Sequence, residues 1–345
     1  MGKEKVSMRD IARTMGVSVS AVWMAVHDKP GLSPETHRRI LDAIASSGYN
    51  HKSLDAKPSQ ALGLLIEKSS IPAMMDAFYG DVIRGFQAQA QTTGYHVTLM
   101  MFDRTAESLE SVIRIFTKKV AGLVVANDGD ITPEMVMRLR TIRAPIVLIE
   151  NHLDNQGIPC IVGDNVSAGY LVAQHLLALG HREIGVLPGP SKYSSLVDRL
   201  RGVRSALAEA GLLIRPEWMP QPVSGHPVKG YVQMKEILVL DHHPTAVIAI
   251  SDKTALGAME AIREAGLKIP DAIAIASVDN TVESAYTRPP LTTVNIPKYE
   301  MGVLAFQKLH RLIEGQDTIP VKTVVYGELI VRESCGAVRR RVGEG

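Results

Sequence analysis

The organisation of this chain is decided by residues 7–18, which read SMRDIARTMGVS. Ser7 followed three residues later by Asp10 is the pattern of a capping box, in which the two side chains hydrogen-bond the first turn of a helix. Apolar residues follow at helical spacing, and Gly16 permits the left-handed backbone that ends a helix. Ser18 can then cap another helix. The stretch therefore predicts two short helices joined by a tight turn at Gly16.

A third helix is predicted after the second, which runs from residue 19 to about residue 26. Ser33 precedes Pro34, so a capping hydroxyl stands before a proline at the first helical position. Ile40, Leu41 and Ile44 are expected to give this helix its buried stripe. Helix, tight turn and helix make a helix-turn-helix, although pairs of helices also occur in proteins that do not bind DNA.

The first 60 residues also carry the positive charge of the chain. They hold nine Lys and Arg against six Asp and Glu, a net charge of +3, whereas all 345 residues together reach only +2. A small basic head on a near-neutral body is typical of a polyanion contact made by the head alone. A solvated, slightly basic surface is the alternative, and charge by itself favours neither.

A set of residues within 6–49 forms a more specific pattern. It comprises Asp10-Ile11-Ala12, Gly16-Val17-Ser18, Val22, Ser33, Thr36, Arg38 and Tyr49. Together these residues resemble the DNA-binding head of the lactose/galactose-repressor family of bacterial transcriptional regulators. The resemblance implies that the second helix lies in the major groove of double-stranded DNA. It also implies a homodimer, because one head contacts only half of a palindromic operator.

By this resemblance the second helix contacts base edges through Val19, Ser20 and Met24. The family often has Arg where Met24 stands, and Met cannot pair with guanine as Arg does. We therefore expect apolar contact of Val19 and Met24 with thymine methyls and a hydrogen bond from Ser20, with inward packing of Met24 as the alternative. Trp23 is expected to cover the helix or to pack on the sugar-phosphate backbone. The residues expected at phosphates are Ser18, His27 and Lys29.

Residues 51–60 are expected to link a helix-turn-helix domain over 1–50 to a body over 61–345. Members of the family use a hinge helix here, with a leucine inserted in the minor groove, and Leu54 is the candidate for that wedge. Pro58 would break the interior of a helix, however, so a flexible linker is an equally open interpretation.

From residue 61 onward, apolar strand-like runs alternate with amphipathic helices, beginning with a strand over 61–66 and a helix over 81–93. This alternation is typical of parallel sheets with helices on both faces. The total of about twelve strands exceeds the usual size of one sheet, so two lobes are expected. The predicted fold class is α/β, with an N-terminal helix-turn-helix head and a two-lobed body.

The body carries the same family resemblance as far as about Gly336. The supporting segments are residues 175–184, 199–202, 251–259 and 289–294. The body of that family is similar to periplasmic sugar-binding proteins, with parallel sheets in two lobes. The resemblance implies crossings between the lobes near residues 162, 292 and 322, and a small-molecule effector, expected to be a carbohydrate, between the lobes.

The candidate effector residues stand where strands end, because ligands of such sheets bind at the carboxyl ends of strands. They are Phe78, Tyr79, Asn127, Glu150, Arg199, Ser251 and Asp279. By the resemblance, Arg199 and Asp279 contact the ligand most directly, Arg199 opening a helix and Asp279 following a strand over 273–277. Carboxylates and Arg suit the paired hydroxyls of a sugar, and an aromatic ring covers its apolar face.

Several of these residues have a structural alternative. Phe78 and Tyr79 are also compatible with packing within a lobe. Asp252, next to Ser251, is expected to cap the following helix rather than to bind ligand, and capping is likewise expected of the Asp164-Asn165 pair.

Other classes of protein are disfavoured. The chain shows no metal-spaced His pair, phosphate-binding glycine loop or nucleophile elbow, so neither an enzyme nor a cofactor or metal is expected. Its two cysteines cannot form a disulfide framework, and no apolar run reaches the ~18 residues of a membrane span. The N-terminus lacks the apolar region of a signal peptide, so a cytoplasmic protein is expected. A sugar-binding protein without a regulatory role is the alternative, but the head favours a regulator, and a repressor is expected.

Overall fold

A computed structural model describes residues 7–26, 31–47, 60–67, 78–103, 105–126, 131–153, 156–222 and 228–337. The chain divides into two compact units, residues 1–58 and 59–345, here termed the head and the body.

The head contains α1 (Met8–Met15), α2 (Val19–Val26) and α3 (Pro34–Ser46). The capping box is confirmed, because the Asp10 amide donates to the Ser7 hydroxyl and the Ser7 amide donates to the Asp10 carboxylate. Gly16 ends α1 with φ of +66°, in the left-handed region. The predicted three-helix head is therefore present.

A small apolar core holds the three helices together. Its buried members are Ile11, Ala12, Ala21, Val22, Ala25 and Ile40. The ring of His37 on α3 lies 3.2 Å from the carbonyl oxygen of Ala25, so a polar contact adds to this packing near the end of α2.

The body begins with β1 (Ala61–Glu67), α4 (Tyr79–Thr92), β2 (His96–Phe102), α5 (Ala106–Phe116), β3 (Gly122–Ala126), α6 (Pro133–Arg140), β4 (Ile146–Ile149) and β5 (Cys160–Gly163). It continues with α7 (Asn165–Ala178), β6 (Ile184–Leu187), α8 (Ser194–Glu209), α9 (Val228–Leu238), β7 (Ala246–Ala249), α10 (Asp252–Glu264), β8 (Ala274–Asp279) and β9 (Thr292–Asn295). It closes with α11 (Lys298–Ile313), β10 (Lys322–Val325) and β11 (Glu328–Ile330).

These strands form two sheets, one in each lobe. The first lobe has the order β10-β5-β4-β3-β1-β2, with every pairing parallel. The second has the order β11-β9-β8-β7-β6, parallel except for β11. The chain thus leaves the first lobe after β5, returns between β9 and β10, and leaves it again before β11.

Burial explains why the body adopts this architecture. β3, β4 and β7 are buried along their whole length, as expected for parallel strands covered on both faces. Two helices of the second lobe pack against each other through a close contact of backbones: a Cβ on Gly169 of α7 would lie 2.0 Å from the carbonyl oxygen of Arg199 on α8. This contact fixes the backbone position of Arg199. The predicted α/β fold class is confirmed.

Two predicted boundaries are wrong. Arg199 does not open a helix, because α8 begins at Ser194 and Arg199 lies in its second turn. Tyr193 precedes α8 without a side-chain cap, so the sequence gives no start signal there. Asp279 does not follow its strand but is the last residue of β8. Among the described residues, no helix has the length and apolar character needed to cross a bilayer.

Candidate functional site

The second helix of the head separates a buried face from an exposed face. Ala21, Val22 and Ala25 pack into the core, whereas Val19, Ser20 and Trp23 are exposed. With about 3.6 residues per turn, residues 19, 20, 23 and 24 share the outer face of α2. The residues proposed for contact with bases therefore lie on one surface.

Two of the predicted head residues also make contacts within the head. Met24 is half-buried, and a Cβ on Gly31 would lie 3.3 Å from its sulfur, so part of its side chain packs inward. The Ser18 hydroxyl accepts a hydrogen bond from the Ala21 amide at 3.1 Å, which makes Ser18 a cap for α2. His27, Lys29, Leu54 and Asn127 lie outside the described residues.

In the body, Arg199 joins three elements of the second lobe. Its Nε donates to the Asn165 side chain at 2.8 Å, and its Nη1 donates to the carbonyl oxygen of Ile250 at 3.0 Å. Its Nη2 forms an ion pair with Asp279 at 2.8 Å. Since Arg199 is only 3% exposed, these partners offset the cost of burying its charge.

Asp279 and Glu150 both have unusual backbone conformations. Their φ angles are +124° and +53°, in a region that residues other than glycine rarely adopt. Each stands at the carboxyl end of a strand, Asp279 on β8 and Glu150 just after β4. Strained residues of this kind cluster at binding sites, so the two observations together mark this edge of the sheets as a candidate site.

Glu150 connects the first lobe to the same polar cluster. Its Oε1 accepts a hydrogen bond from the Gly163 amide at 2.7 Å, and the Asn165 amide donates to the Gly163 carbonyl oxygen at 3.2 Å. Burial raises the pKa of Glu150, while the charge of Arg199 opposes that rise. A chain of polar contacts thus runs from Glu150 through Asn165 and Arg199 to Asp279.

A second connection between the lobes uses Lys298, the first residue of α11. Its Nζ is buried and donates to the backbone carbonyl oxygen of Asp279. The same Nζ lies 5.9 Å from the centroid of the Phe78 ring, within the range of a cation–π contact. Phe78 also stands edge-on to Tyr79, and both rings pack against the buried core. The two aromatic residues therefore border this cluster while contributing to packing.

The predicted cap of α10 is wrong, because Ser251 rather than Asp252 is the capping residue. Ser251 caps α10, because the Thr254 amide donates to its hydroxyl. Asp252 is fully buried and instead accepts hydrogen bonds from Ser277, Thr293 and the Thr281 amide. Burial raises the pKa of Asp252 to about 6, although these hydrogen bonds oppose the rise. The sequence could not show this, since the partners of Asp252 come from distant segments. Asp164 does cap α7, as expected.

A pocket of about 160 Å³ opens beside the polar chain. Its lining includes Glu150, Gly163, Asn165, Ser194, Asp198 and Arg201. The wall therefore combines strand ends of the first lobe with the first turns of α8 in the second lobe. Hydroxyl, amide and charged groups share this wall with apolar side chains in about equal measure, which suits a small molecule with both polar and apolar faces.

Sequence reasoning did not identify three residues of this region as candidates for binding. Asn165 was expected only to cap a helix, and Lys298 and Lys229 lie at helix starts, where lysines are ordinarily solvated. Lys229 is 1% exposed, and burial lowers its pKa to about 8. No local pattern signals the burial of these lysines. Within the described ranges, no group of three or more His, Cys, Asp or Glu side chains is arranged to hold a metal ion.

Comparisons with known proteins agree with this architecture. The model of the periplasmic binding protein-like domain matches residues 173–335. The HTH-type transcriptional repressor PurR of Histophilus somni strain 129Pt is 29% identical over 334 residues, which are 95% of this chain and 98% of that protein.

Solved structures of regulators share the fold. The complex of transcriptional regulator CelR with cellobiose superposes with a TM-score of 0.74 and 24% identity, covering 96% of this chain and 100% of that one. The transcription regulator CcpA of Lactococcus lactis superposes with a TM-score of 0.70 and 25% identity, covering 79% of this chain and 98% of that one.

Proposed function

We propose that the chain is a transcriptional repressor of the lactose/galactose-repressor family and that a small molecule bound between its lobes controls its affinity for DNA. The observation that carries this proposal is the combination of two surfaces in one chain. The head presents an exposed outer face of α2, and the body presents a cluster of buried polar groups at strand ends.

The DNA half of the proposal assigns base contacts to Val19, Ser20 and Met24. Their positions on the outer face of α2 suit insertion into the major groove, where Ser20 can hydrogen-bond a base edge and Val19 can contact a thymine methyl. Trp23 and Ser18 would lie against the sugar-phosphate backbone. A homodimer reading a palindromic operator is the symmetric arrangement for such a head.

The effector half assigns binding to Arg199 and Asp279, with Glu150, Phe78 and Tyr79 at the border. Arg199 uses three of its five N–H groups on protein partners, so donors remain for a ligand. A carboxylate, a guanidinium and an aromatic ring together suit a sugar or sugar derivative. Because the hydroxyl of Ser251 caps α10, this residue is expected to contribute little to effector binding.

Control of DNA binding would arise from closure of the lobes. The chain of contacts from Glu150 to Asp279, and the contact of Lys298 with Asp279, join groups of both lobes. A ligand that binds one arrangement of the lobes more tightly shifts the population toward that arrangement. In a dimer, this shift changes the spacing of the two heads.

Fluorescence anisotropy with the full chain tests this proposal. Genomic fragments are first selected for binding to the protein, and the selected operator is then titrated with and without each member of a panel of sugars. We expect one palindromic site whose affinity changes at least tenfold with one ligand class. Absence of any preferred fragment would overturn the proposal in favour of a binding protein without a regulatory role.

A further inference from the structure

One turn of α9 buries two polar groups that lack hydrogen-bond partners among the described residues. They are the ammonium of Lys229 and the side-chain oxygen of Gln233. Both residues are buried, and they are separated by four positions, so they lie on the same face of α9. Buried polar groups are ordinarily hydrogen-bonded, so a pair of unpartnered groups at one place indicates a missing ligand.

The orientation of Gln233 is fixed by its other atom. Its Nε2 donates to the carbonyl oxygens of Pro188 and Gln221, at 3.1 Å and 3.4 Å. Exchanging the amide nitrogen and oxygen would direct the oxygen at two carbonyl groups. Among the described residues, the oxygen of Gln233 is therefore left as an acceptor without a donor.

Lys229 belongs to the candidate site in the second lobe. The charges that act on it are those of Asp279, Arg199 and Lys253. Asp279 is already paired with Arg199, so its charge is shared between that guanidinium and the ammonium of Lys229. A close backbone contact places α9 here, since a Cβ on Gly230 would lie 1.8 Å from the carbonyl oxygen of Thr254.

Burying an ammonium without a partner is costly, and proteins ordinarily avoid it. Desolvation accordingly lowers the pKa of Lys229 to about 8, with Asp279 opposing that change. A bound anion would remove this cost, because it supplies both the countercharge and the hydrogen bonds that Lys229 lacks.

We propose that the effector carries an anionic group, a carboxylate or a phosphate, that binds the ammonium of Lys229, and that an adjacent hydroxyl donates to the side-chain oxygen of Gln233. This inference rests on the proposed effector site and narrows its ligand from sugars in general to acidic ones. The remaining hydroxyls of the ligand face Arg199 and Asp279.

Calorimetric titration of the full chain with matched ligands tests the inference. The probes are glucose, gluconate and glucose 6-phosphate, then ribose, ribonate and ribose 5-phosphate, then the acidic fraction of a metabolite extract. We expect at least one acid to bind tenfold or more tightly than its neutral parent. Comparison of the sugar acids with the sugar phosphates identifies which anion is used.

The variant Lys229→Met should weaken binding of that acid ten- to hundredfold, the usual range for a charged hydrogen bond. Lys235→Met is the matched control, because Lys235 is an exposed lysine on the same helix. If Lys229→Met does not fold, Lys229→Gln replaces it. The inference is overturned if no acid binds, if neutral sugars bind as well as their acids, or if the Lys229 variant binds the acid normally.

The DNA titration separates this inference from the proposed function. If an acid binds through Lys229 but never alters operator affinity, the inference stands and the proposed control of DNA binding fails. If a neutral sugar alters operator affinity equally in the wild type and in Lys229→Met, the proposed function stands and the inference fails.

Discussion

The head and the body place their candidate functional side chains in opposite environments. On α2, Val19 is 43% exposed and Trp23 is 42% exposed, whereas in the body Arg199 is 3% exposed and Lys229 is 1% exposed. Substitution of a surface side chain can change what the protein binds without changing its fold. A buried charge takes part in the stability of the fold, so binding and stability are coupled in the body and separable in the head.

The coupling in the body should be largest at Asp279. Asp279→Asn removes the carboxylate that pairs with Arg199 and leaves a buried guanidinium without its countercharge. We expect the free energy of unfolding of the body to fall by about 3–5 kcal/mol, the usual cost of breaking a buried ion pair from one side. Effector response should also be lost, while the affinity of the ligand-free protein for the operator stays within about twofold.

Denaturant titration can isolate the body because the chain has only two tryptophans, Trp23 in the head and Trp218 in the body. In a Trp23→Phe background, Trp218 fluorescence follows the body alone. Glu260→Gln is the control, since it removes the carboxylate of an exposed pair with Arg263 that contributes at most about 1 kcal/mol. Equal stability of the Asp279 and Glu260 variants would contradict the predicted coupling.

At Lys229 the effect on stability should have the opposite sign, because the buried charge of this residue destabilises the body. Its pKa in the folded protein is about 8, below the ordinary value of 10.5, so the folded state binds fewer protons between those pH values. The free energy of unfolding of the wild type should therefore rise by ~3 kcal/mol between pH 8 and pH 10.5. Lys229→Met should remove this rise and stabilise the body by ~3 kcal/mol at pH 7.

The measurement is the same Trp218 titration repeated across pH. Lys235→Met serves again as the control and should keep the pH dependence of the wild type. A wild type whose stability does not increase above pH 8 would show that Lys229 is not held as a buried, unpartnered ammonium.

In the head, a substitution on the exposed face of α2 should change DNA binding without changing stability. Ser20→Ala removes a hydroxyl from the exposed face of α2, and we expect the preference for operator over non-specific DNA to fall by about 1–3 kcal/mol. Thermal stability should stay within about 0.5 kcal/mol of the wild type. Anisotropy on both DNAs measures the change, and Ser46→Ala on α3 is the control; equal loss in the two variants would exclude a base contact of Ser20.

The smallest effect is expected at the first cap of the head. Ser7→Ala removes the hydroxyl that accepts the Asp10 amide, and it should lower the stability of the head by about 1 kcal/mol. Hydrogen exchange of the α1 amides measures this loss, which should not extend to the body. Faster exchange in the body as well would contradict the independence of the two units.

The sequence predicted those features best that depend on contacts between residues close together in the chain. The capping box at Ser7, the turn at Gly16 and the cap at Ser33 were predictable, because each contact joins residues within one helical turn. The start of α8 was not, because Tyr193 supplies no side-chain cap. The alternation of strands and helices gave the two-lobed α/β body, although it did not indicate that β11 runs antiparallel.

The candidate site shows the same division. Arg199 and Asp279 were predicted by family resemblance, but the contacts that hold Arg199 reach Asn165, 34 residues away, and Ile250, 51 residues away. Asp252 was misinterpreted because a local cap was the nearest explanation, whereas its partners include Thr293, 41 residues distant. Contacts over such separations depend on which strand ends the sheet order brings together.

The amino-acid sequence by itself determined the three-helix head, the α/β character of the body and the identity of the residues available at strand ends. Periodicity and caps depend on neighbours within a few positions, so they can be seen before folding. Only the tertiary structure decided that the Lys229 ammonium and the Gln233 side-chain oxygen are buried without a hydrogen-bond partner among the described residues, and that Ser251, not Asp252, caps α10. Burial and charge pairing depend on distant segments meeting, and no local pattern carries that information.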